Sequence, residues 1–269
     1  MTENMETLRN FALVAHSGAG KTSLAEVMLN RAGVTNRIGR VEEGNTVMDF
    51  EPEELKRQSS TSSAFYQFDW KKHSLLVIDT PGDQNFFNDT KFSLQATDCA
   101  VVVIDAVDGI KVQTELAWEY TEQFGLPCII FINKLDRERS DFSRTVSEAK
   151  DIFTPKPILV QLPIGSEADF KGVVDLISMK AYLYDKDGKA KPGDIPADMA
   201  ELAESEREAF IENVAEADDE LIERYLEGET LTDDDIKTAL KNGIISRTFA
   251  PVLAGAAGTG IGVDLLMDF

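Results

Sequence analysis

Residues 79–87, DTPGDQNFF, place chemically capable side chains directly after the apolar run SLLVI. At a strand end, Asp79 can hold a Mg²⁺ ion through water, and the Gly82 N–H can reach a terminal phosphate, with Thr80 and Pro81 completing the segment. The next residue, Asp83, stands where such sites place the group that positions an attacking water. An anion at this position raises the question of whether the site hydrolyses a nucleotide or only binds it.

A second phosphate-binding segment, AHSGAGKTS, covers residues 15–23 and fits the pattern [AG]-x-x-x-x-G-K-[ST]. Successive backbone N–H groups of such a loop form an anion cradle at a helix N-terminus. We expect Lys21 to reach the β- and γ-phosphates and Thr22 to bind Mg²⁺. The predicted phosphate-binding set is Ala15, His16, Ser17, Gly18, Ala19, Gly20, Lys21, Thr22 and Ser23.

The segment INKLD, residues 132–136, has the chemistry to select a base. The carboxylate of Asp136 can accept hydrogen bonds from N1–H and the 2-amino group of guanine, whereas adenine offers no matching pair of donors. The aliphatic stem of Lys134 can cover the base, and Asn133 can tie this loop to the phosphate loop. A backbone N–H of Gly255, Ala256 or Ala257 can bind the guanine carbonyl oxygen.

Alternating apolar runs and helical segments indicate how these residues are positioned. Unbroken Val- and Ile-rich runs suit parallel strands that are covered on both faces. Strands alternating with helices predict an α/β fold of the P-loop nucleotide-binding type, with a doubly wound, mostly parallel sheet and the ligand at the carboxyl ends of the strands. The predicted strands are 11–15, 74–78, 100–104, 128–132 and 250–254, and the predicted helices include 21–33, 111–125 and 140–153.

The alternation stops between about 161 and 245 and resumes at 248. Short strands with a turn at DKDGK (185–189) precede three helical stretches, and Thr232 followed by three aspartates is a favourable helix start. We therefore predict an α+β subdomain at 161–245, inserted into a core formed by 1–160 and 246–269. The three predicted helices of the insertion are 197–213, 216–227 and 232–245.

Composition and charge narrow the function classes. The 269 residues carry a net charge of −21, which argues against binding of nucleic acid through a general electrostatic field, and we expect no direct sequence-specific contact with it. Residues 161–240 hold 22 Asp/Glu against 8 Lys/Arg, so most of the excess lies in the predicted insertion. No apolar span of membrane length and no signal peptide is evident. Cys99 and Cys128 lie in or beside apolar runs, which is typical of packed thiols in a reducing cytoplasm.

The order AHSGAGKT, DTPG, NKLD, GAA resembles that of the translational GTPases, and residues 161–245 are similar to the G′ insertion of elongation factor G. The resemblance covers essentially the whole chain. It implies GTP and GDP with Mg²⁺ as ligands, the ribosome as partner of a monomeric factor, and further domains beyond this N-terminal part. It also implies that the acidic insertion contacts the ribosomal stalk protein through Glu216, Asp219, Glu220 and Glu223.

Several residues depart from that family pattern around the γ-phosphate. Asp83 replaces the switch II histidine, and the apolar residues that gate the attacking water correspond to Ser17 and Ser59. The switch I motif becomes RQSS (57–60), so the second Mg²⁺ ligand is Ser60, or Thr61 if the register shifts by one. The residues expected at the catalytic centre are Lys21, Gly82, Asp83 and Gln84, and those expected at the metal are Thr22, Ser60 and Asp79.

Two classes of function follow from this mixture. The first is a ribosome-stimulated GTPase that drives elongation or recycling, with ribosomal protection proteins as a variant. The second is a GTP/GDP-dependent binding switch with little turnover. Asp83 favours the switch, whereas the otherwise complete motifs favour the enzyme.

Overall fold

Five strands of the structure coincide with the apolar runs of the sequence, since residues buried on both faces favour parallel pairing. The computed structural model describes residues 5–185, 188–229 and 231–269. The strands are β1 (Leu8–Val14), β2 (Ala64–Trp70), β3 (His73–Asp79), β4 (Cys99–Asp105), β5 (Cys128–Asn133), β6 (Lys156–Leu159), β7 (Gln161–Ile164), β8 (Gly172–Asp175), β9 (Lys180–Tyr184), β10 (Ala190–Gly193) and β11 (Phe249–Ala254).

Side chains cap the N-termini of several helices. Asp141 caps α5, Asp218 caps α7, and Thr232 forms a capping box with Asp235 at α8, which confirms the predicted start of that helix. The helices are α1 (Lys21–Arg31), α2 (Pro52–Arg57), α3 (Phe87–Leu94), α4 (Val112–Phe124), α5 (Phe142–Ile152), α6 (Ala200–Ala215), α7 (Asp219–Leu226), α8 (Asp233–Ile245) and α9 (Val263–Asp268).

The central sheet has the order β2-β3-β1-β4-β5-β11-β6, and only β2 runs antiparallel to its neighbour. This confirms the predicted mostly parallel α/β sheet. The five predicted strands omitted β2 and β6 at its two edges, and α2 was also not predicted. In β2 only Phe68 is buried, so the strand lacks the apolar run by which the others were recognised.

Helices cover both faces of the central sheet. On one face α3, α4 and α5 contribute Phe87, Trp118 and Val146 to the core, and Trp118 stacks on Phe153 at a ring-centroid distance of 4.1 Å. On the other face α1 and α9 pack against the strands, with Leu24, Val27 and Met28 buried as predicted; α9 adds Leu266. The sheet is therefore doubly wound.

A second, antiparallel sheet of order β10-β9-β8-β7 lies within the segment between β6 and β11. Helices α6, α7 and α8 share a separate core with it, which includes Val174, Phe210 and Leu240. This confirms an α+β insertion, while the bounds 161 and 245 stay a prediction. The centre of the predicted turn, 186–187, lies outside the described residues, although the Gly188 N–H donates to the Asp185 carbonyl at 2.9 Å.

The length and polarity of the helices also bear on membrane spanning. Among the described residues, no helix is both long enough and apolar enough to cross a bilayer.

Cys99 and Cys128 are free thiols, the first partly buried and the second buried.

Candidate nucleotide-binding site

The phosphate loop connects β1 to α1 and has the backbone that its glycines permit. Gly18 and Gly20 have φ values of 85° and 96°, in the left-handed region that favours glycine. A Cβ on Gly20 would lie 2.5 Å from the Asn133 amide nitrogen, so the close approach also requires glycine. Ser17 and Gly18 are exposed, whereas Ala15, His16 and Ala19 are buried, and Ser23 is half-buried on α1.

Lys21 is a buried cation that bonds to its own loop. Its Nζ donates to the carbonyl oxygens of His16 at 3.1 Å and Ala15 at 3.3 Å. Burial lowers the pKa of Lys21 to about 8, although nearby Asp79 and Asp49 act in the opposite direction. An ammonium held among carbonyls at this position can exchange those weak partners for phosphate oxygens.

The predicted metal ligands lie together at the carboxyl end of β3. The Thr22 Oγ1 and Ser60 Oγ atoms are 3.2 Å apart, and both residues are buried. Asp79 is only 1% exposed, and neither of its carboxylate oxygens has a hydrogen-bond partner among the described residues. Burial raises the pKa of Asp79 to about 7, with the Lys21 ammonium opposing the shift. A buried, unpartnered carboxylate beside two hydroxyls is a donor set that suits Mg²⁺.

The structure also distinguishes the two residues proposed for switch I. Ser60 is the one beside Thr22, whereas the Thr61 N–H donates to Glu54 Oε1 at 2.9 Å and its hydroxyl faces the same carboxylate. The Ser60 hydroxyl donates to Asp49 Oδ1 at 2.7 Å, and Asp49 Oδ2 lacks a partner among the described residues. Asp49 is therefore a further acidic group of the site.

Sequence reasoning missed Asp49 and two glutamates that hold the segment 46–62 in place. Glu26, fully buried on α1, accepts hydrogen bonds from the N–H groups of Val47 at 2.6 Å and Met48 at 3.0 Å. Glu54 likewise accepts from backbone N–H groups at 61 and 62. The available signal was the spacing of Glu26 four residues after Thr22, which places both on one face of α1.

The DTPGDQ segment packs closely against the phosphate loop. The Thr80 hydroxyl donates to the Leu13 carbonyl at 2.7 Å, and the Pro81 carbonyl accepts from the Thr90 hydroxyl at 2.7 Å. A Cβ on Gly82 would lie 2.5 Å from Ser17 N and 2.6 Å from Lys21 Nζ. The Gly82 backbone is therefore beside the position that the phosphate loop provides for an anion.

Asp83 is engaged within its own turn. Its Oδ1 accepts from the Asn85 N–H and from the Asn85 side-chain amide, both at 2.8 Å, and caps the short 3₁₀ helix Gln84–Phe86. Gln84 is exposed. The hydroxyls of Ser17 and Ser59 lie 3.4 Å apart, so two polar groups occupy the positions where the family pattern has apolar ones.

The predicted base loop is tied to its neighbours on both sides. The Asn133 side-chain amide donates to the Ala19 carbonyl at 2.9 Å, and its Oδ1 accepts from the Ala257 N–H at 2.8 Å. Lys134, with a φ of 65°, donates to the carbonyl of Gly18 at 2.6 Å. Asp136 is half-buried, and a Cβ on Gly258 would lie 3.5 Å from its Oδ2.

Three loops therefore meet at the carboxyl ends of β1, β5 and β11. Residues 255–257 follow β11, and the Gly255 carbonyl accepts from the Leu135 N–H at 3.3 Å. Ala256 and Ala257 are buried. The structure thus joins Asn133 and Lys134 of the base loop to the phosphate loop, and it places Ser60 beside Thr22 at the start of α1. Their individual contacts with a nucleotide stay predictions, as do the catalytic roles of Lys21, Gly82, Asp83 and Gln84.

Comparisons with known proteins agree with this geometry. The family model described as Elongation factor Tu GTP binding domain matches residues 6–269. The chain is 40% identical over 270 residues to Elongation factor G of Ureaplasma parvum serovar 3 and of Ureaplasma urealyticum serovar 10, covering 100% of the chain and 39% of each relative. The crystal structure of ttk003000868 from Thermus thermophilus matches with a TM-score of 0.92 and 30% identity, over 97% of this chain and 39% of that one. The chain thus spans about two fifths of the length of these relatives.

Proposed function

Because the chain belongs to the elongation factor Tu GTP-binding domain family, we propose that it binds GTP and GDP with Mg²⁺ and couples GTP hydrolysis to a ribosomal step. It is an elongation-factor GTPase domain homologous to elongation factor G along its whole length. The step we propose is elongation or recycling. We also propose a cytoplasmic monomer, with residues 1–160 and 246–269 as the GTP-binding core and 161–245 as the insertion.

The observation that carries this proposal is the position of Asn133 between two loops. Its amide joins the base loop to both Ala19 of the phosphate loop and Ala257 after β11. The position of a base bound at Asp136 is therefore fixed relative to phosphates bound at the phosphate loop. Guanine fits this position because a carboxylate can accept from N1–H and the 2-amino group together. The fold alone, which hosts many nucleotide chemistries, would not select guanine.

The proposal is tested by Asp136→Asn, which inverts the donor and acceptor pattern toward the base. We expect loss of GTP binding by about 2–5 kcal/mol and gain of xanthosine triphosphate binding, measured by calorimetry. Asp151→Asn, at an exposed acidic residue of α5, is the matched control and should bind GTP normally. Unchanged GTP affinity in Asp136→Asn would show that this carboxylate does not bind guanine.

For the metal, we propose Thr22 and Ser60 as hydroxyl ligands and Asp79 as a carboxylate that holds Mg²⁺ through water. The two unpartnered oxygens of buried Asp79 support this assignment, since water bound to the ion would supply the partner that they lack. Bound Mg²⁺ neutralises charge on the β- and γ-phosphates. Lys21 adds a second positive charge at the same phosphates.

We propose that hydrolysis by the isolated domain is slow. Asp83 is occupied as a helix cap and, as an anion, is repelled by the triphosphate, so it is not suited to positioning a water. Gln84 is the nearby neutral side chain that can do so. This same observation favours the second candidate function, a GTP/GDP-dependent switch with little turnover.

Single-turnover release of γ-phosphate, with and without ribosomes and using the full-length protein, separates the two candidates. We expect Asp83→Ala to leave ribosome-stimulated turnover within about threefold while removing a helix cap worth about 1 kcal/mol. Gln84→Ala should reduce turnover by about 10²-fold or more, as loss of a water-positioning group does. A tenfold drop on Asp83→Ala with Gln84→Ala harmless would make the carboxylate catalytic, and fast turnover by the isolated domain would refute slow hydrolysis.

We further propose that the acidic insertion contacts the ribosomal stalk protein. Glu216, Asp219, Glu220 and Glu223 are all exposed around the start of α7, so they are free to attract a basic partner. Such association is steered electrostatically and weakens with salt. Reversing the charge at two of these positions should slow association without altering nucleotide binding. Equal association rates at low and high salt would remove the electrostatic argument.

A further inference from the structure

His16, Asp105 and Asp108 form a cluster whose ligand atoms all lie within 4.8 Å of one another. His16 belongs to the phosphate loop, Asp105 ends β4, and Asp108 lies in the loop that follows. We propose that this cluster is a second metal site, separate from the Mg²⁺ position, for a divalent ion of the zinc class. One imidazole nitrogen and two carboxylate oxygens, with water as a fourth ligand, suit Zn²⁺ or Co²⁺ better than the oxygen-preferring Mg²⁺.

The imidazole of His16 is the observation that points to a ligand. The residue is only 2% exposed, and its Nε2 has no hydrogen-bond partner among the described residues. That nitrogen lies 4.0 Å from Asp108 Oδ2. Buried polar atoms are nearly always paired, so an unpaired nitrogen that faces two carboxylates requires a third group. A metal ion between them supplies it.

The other side of the ring is already arranged for this role. His16 Nδ1 lies 2.9 Å from the Thr114 hydroxyl, a contact that orients a metal-binding imidazole from outside the coordination shell. With the proton on Nδ1, the lone pair of Nε2 faces the cluster. Burial lowers the pKa of His16 to about 4, and Lys111 and Lys21 add to the shift, so the imidazole is neutral at pH 7.

Each of the two carboxylates accepts a hydrogen bond from a lysine. Asp105 Oδ2 accepts from Lys134 Nζ at 2.6 Å, while its Oδ1 accepts from the Val107 N–H at 2.8 Å. Asp108 Oδ2 accepts from Lys111 Nζ at 2.5 Å. The Lys111 pair is exposed on both sides, and such salt bridges are weak, so a divalent ion can replace the ammonium.

To bind a metal ion, the ligand atoms must also move closer together by a small distance. Tetrahedral bonds of 2.0–2.1 Å place ligand atoms about 3.3 Å apart, compared with 4.0 Å between His16 Nε2 and Asp108 Oδ2. Asp108 is the exposed member, with 47% of its side chain accessible. A shift of about 1 Å in its loop therefore brings the Asp108 carboxylate to that separation from His16 Nε2.

The test uses the fact that the sequence contains two histidines, His16 and His73. Zn²⁺ binding is measured by calorimetry, and Co²⁺ binding by its visible absorption, with Mg²⁺ in excess. We expect one equivalent of Co²⁺ with the absorption of a four-coordinate site. His16→Gln should weaken binding by at least about tenfold, whereas His73→Gln should leave it unchanged.

A second pair of variants keeps the test decisive if His16→Gln does not fold. Asp108→Asn at an exposed position should also weaken Co²⁺ binding at least about tenfold, and Asp98→Asn, at another exposed aspartate, should not. Lys111→Met should tighten binding, since it removes the competing ammonium. Absence of Co²⁺ binding, equal loss in His73→Gln, or full binding by Asp108→Asn would each overturn the proposal.

Discussion

The two ends of the site differ in whether their polar groups are paired within the protein. The guanine end is the loop with Asn133, Lys134 and Asp136, and the metal end comprises Thr22, Asp49, Ser60 and Asp79. At the guanine end, Asn133 and Lys134 have all their principal partners within the protein. At the metal end, both oxygens of Asp79 and one oxygen of Asp49 are buried without a partner among the described residues. Asn133 and Lys134 are therefore paired without a ligand, whereas the carboxylates at the metal end would gain partners from a bound ion and its water.

This difference indicates separate roles for the two ends: the guanine end would determine which base is bound, and the metal end would link ligand binding to the stability of the surrounding segment. If the base loop binds guanine as proposed, it would do so at little conformational cost, because Asn133 and Lys134 are already fixed. Buried carboxylates that lack partners make the unliganded metal end less stable, and bound Mg²⁺ and nucleotide would relieve that cost. Ligand binding should therefore stabilise the segment 46–62 more than the base loop.

The largest expected effect is the loss of stability when the hydrogen bonds of Asn133 at the guanine end are removed. Asn133→Ala leaves the Ala19 carbonyl and the Ala257 N–H buried without partners, each of which costs about 1–3 kcal/mol. We expect the free energy of unfolding of the unliganded protein to fall by about 2–6 kcal/mol in urea titrations. Asn213→Ala, at a half-buried residue of α6, should cost less than about 1 kcal/mol. Equal stability of the two variants would mean that Asn133 does not fix the loop.

The next prediction decides which hydroxyl at the metal end binds Mg²⁺. Ser60 lies beside Thr22, whereas Thr61 faces Glu54, so only Ser60→Ala should weaken Mg²⁺ binding in the presence of a non-hydrolysable GTP analogue. Loss of one hydroxyl ligand should reduce the affinity about tenfold, or about 1.4 kcal/mol. Thr61→Ala is the matched control. A larger loss in Thr61→Ala would place the switch I ligand one residue later.

The smallest expected effect has the opposite sign from the first. Asp49→Asn keeps the oxygen that accepts from Ser60 and removes a buried charge whose other oxygen is unpartnered. Without nucleotide and Mg²⁺, the free energy of unfolding should rise by about 1 kcal/mol. Asp69→Asn, at an exposed position of β2, should change it little. A fall in stability would show that the carboxylate is satisfied in the unliganded protein.

The sequence was most informative where burial and composition agree. Val- and Ile-rich runs predicted β1, β3, β4, β5 and β11, and the motifs that follow them lie together because parallel strands end at one edge of the sheet. The exposed edge strand β2 has no comparable apolar run.

The metal end was predicted less completely for a different reason. Asp49, Glu26 and Glu54 are acidic residues of a kind that is usually exposed, and apart from the spacing of Glu26 after Thr22 nothing in the sequence marks them as buried. The choice between Ser60 and Thr61 depends on a one-residue register in a segment without regular structure, which only the contacts with Thr22 and Glu54 distinguish.

The pairing of β6 with β11 determines how the molecule responds to mechanical force. The chain leaves the central sheet at the C-terminal end of β6 and returns at the N-terminal end of β11, and these parallel neighbours are in register from Lys156–Phe249 to Leu159–Val252. A pull on the intervening segment therefore loads the two strands from opposite ends, so that the evenly spaced hydrogen bonds between them resist shear together. Since β11 continues directly into residues 255–257, and the Ala257 N–H donates to Asn133 Oδ1, a displacement of β11 would reach the base loop through that hydrogen bond.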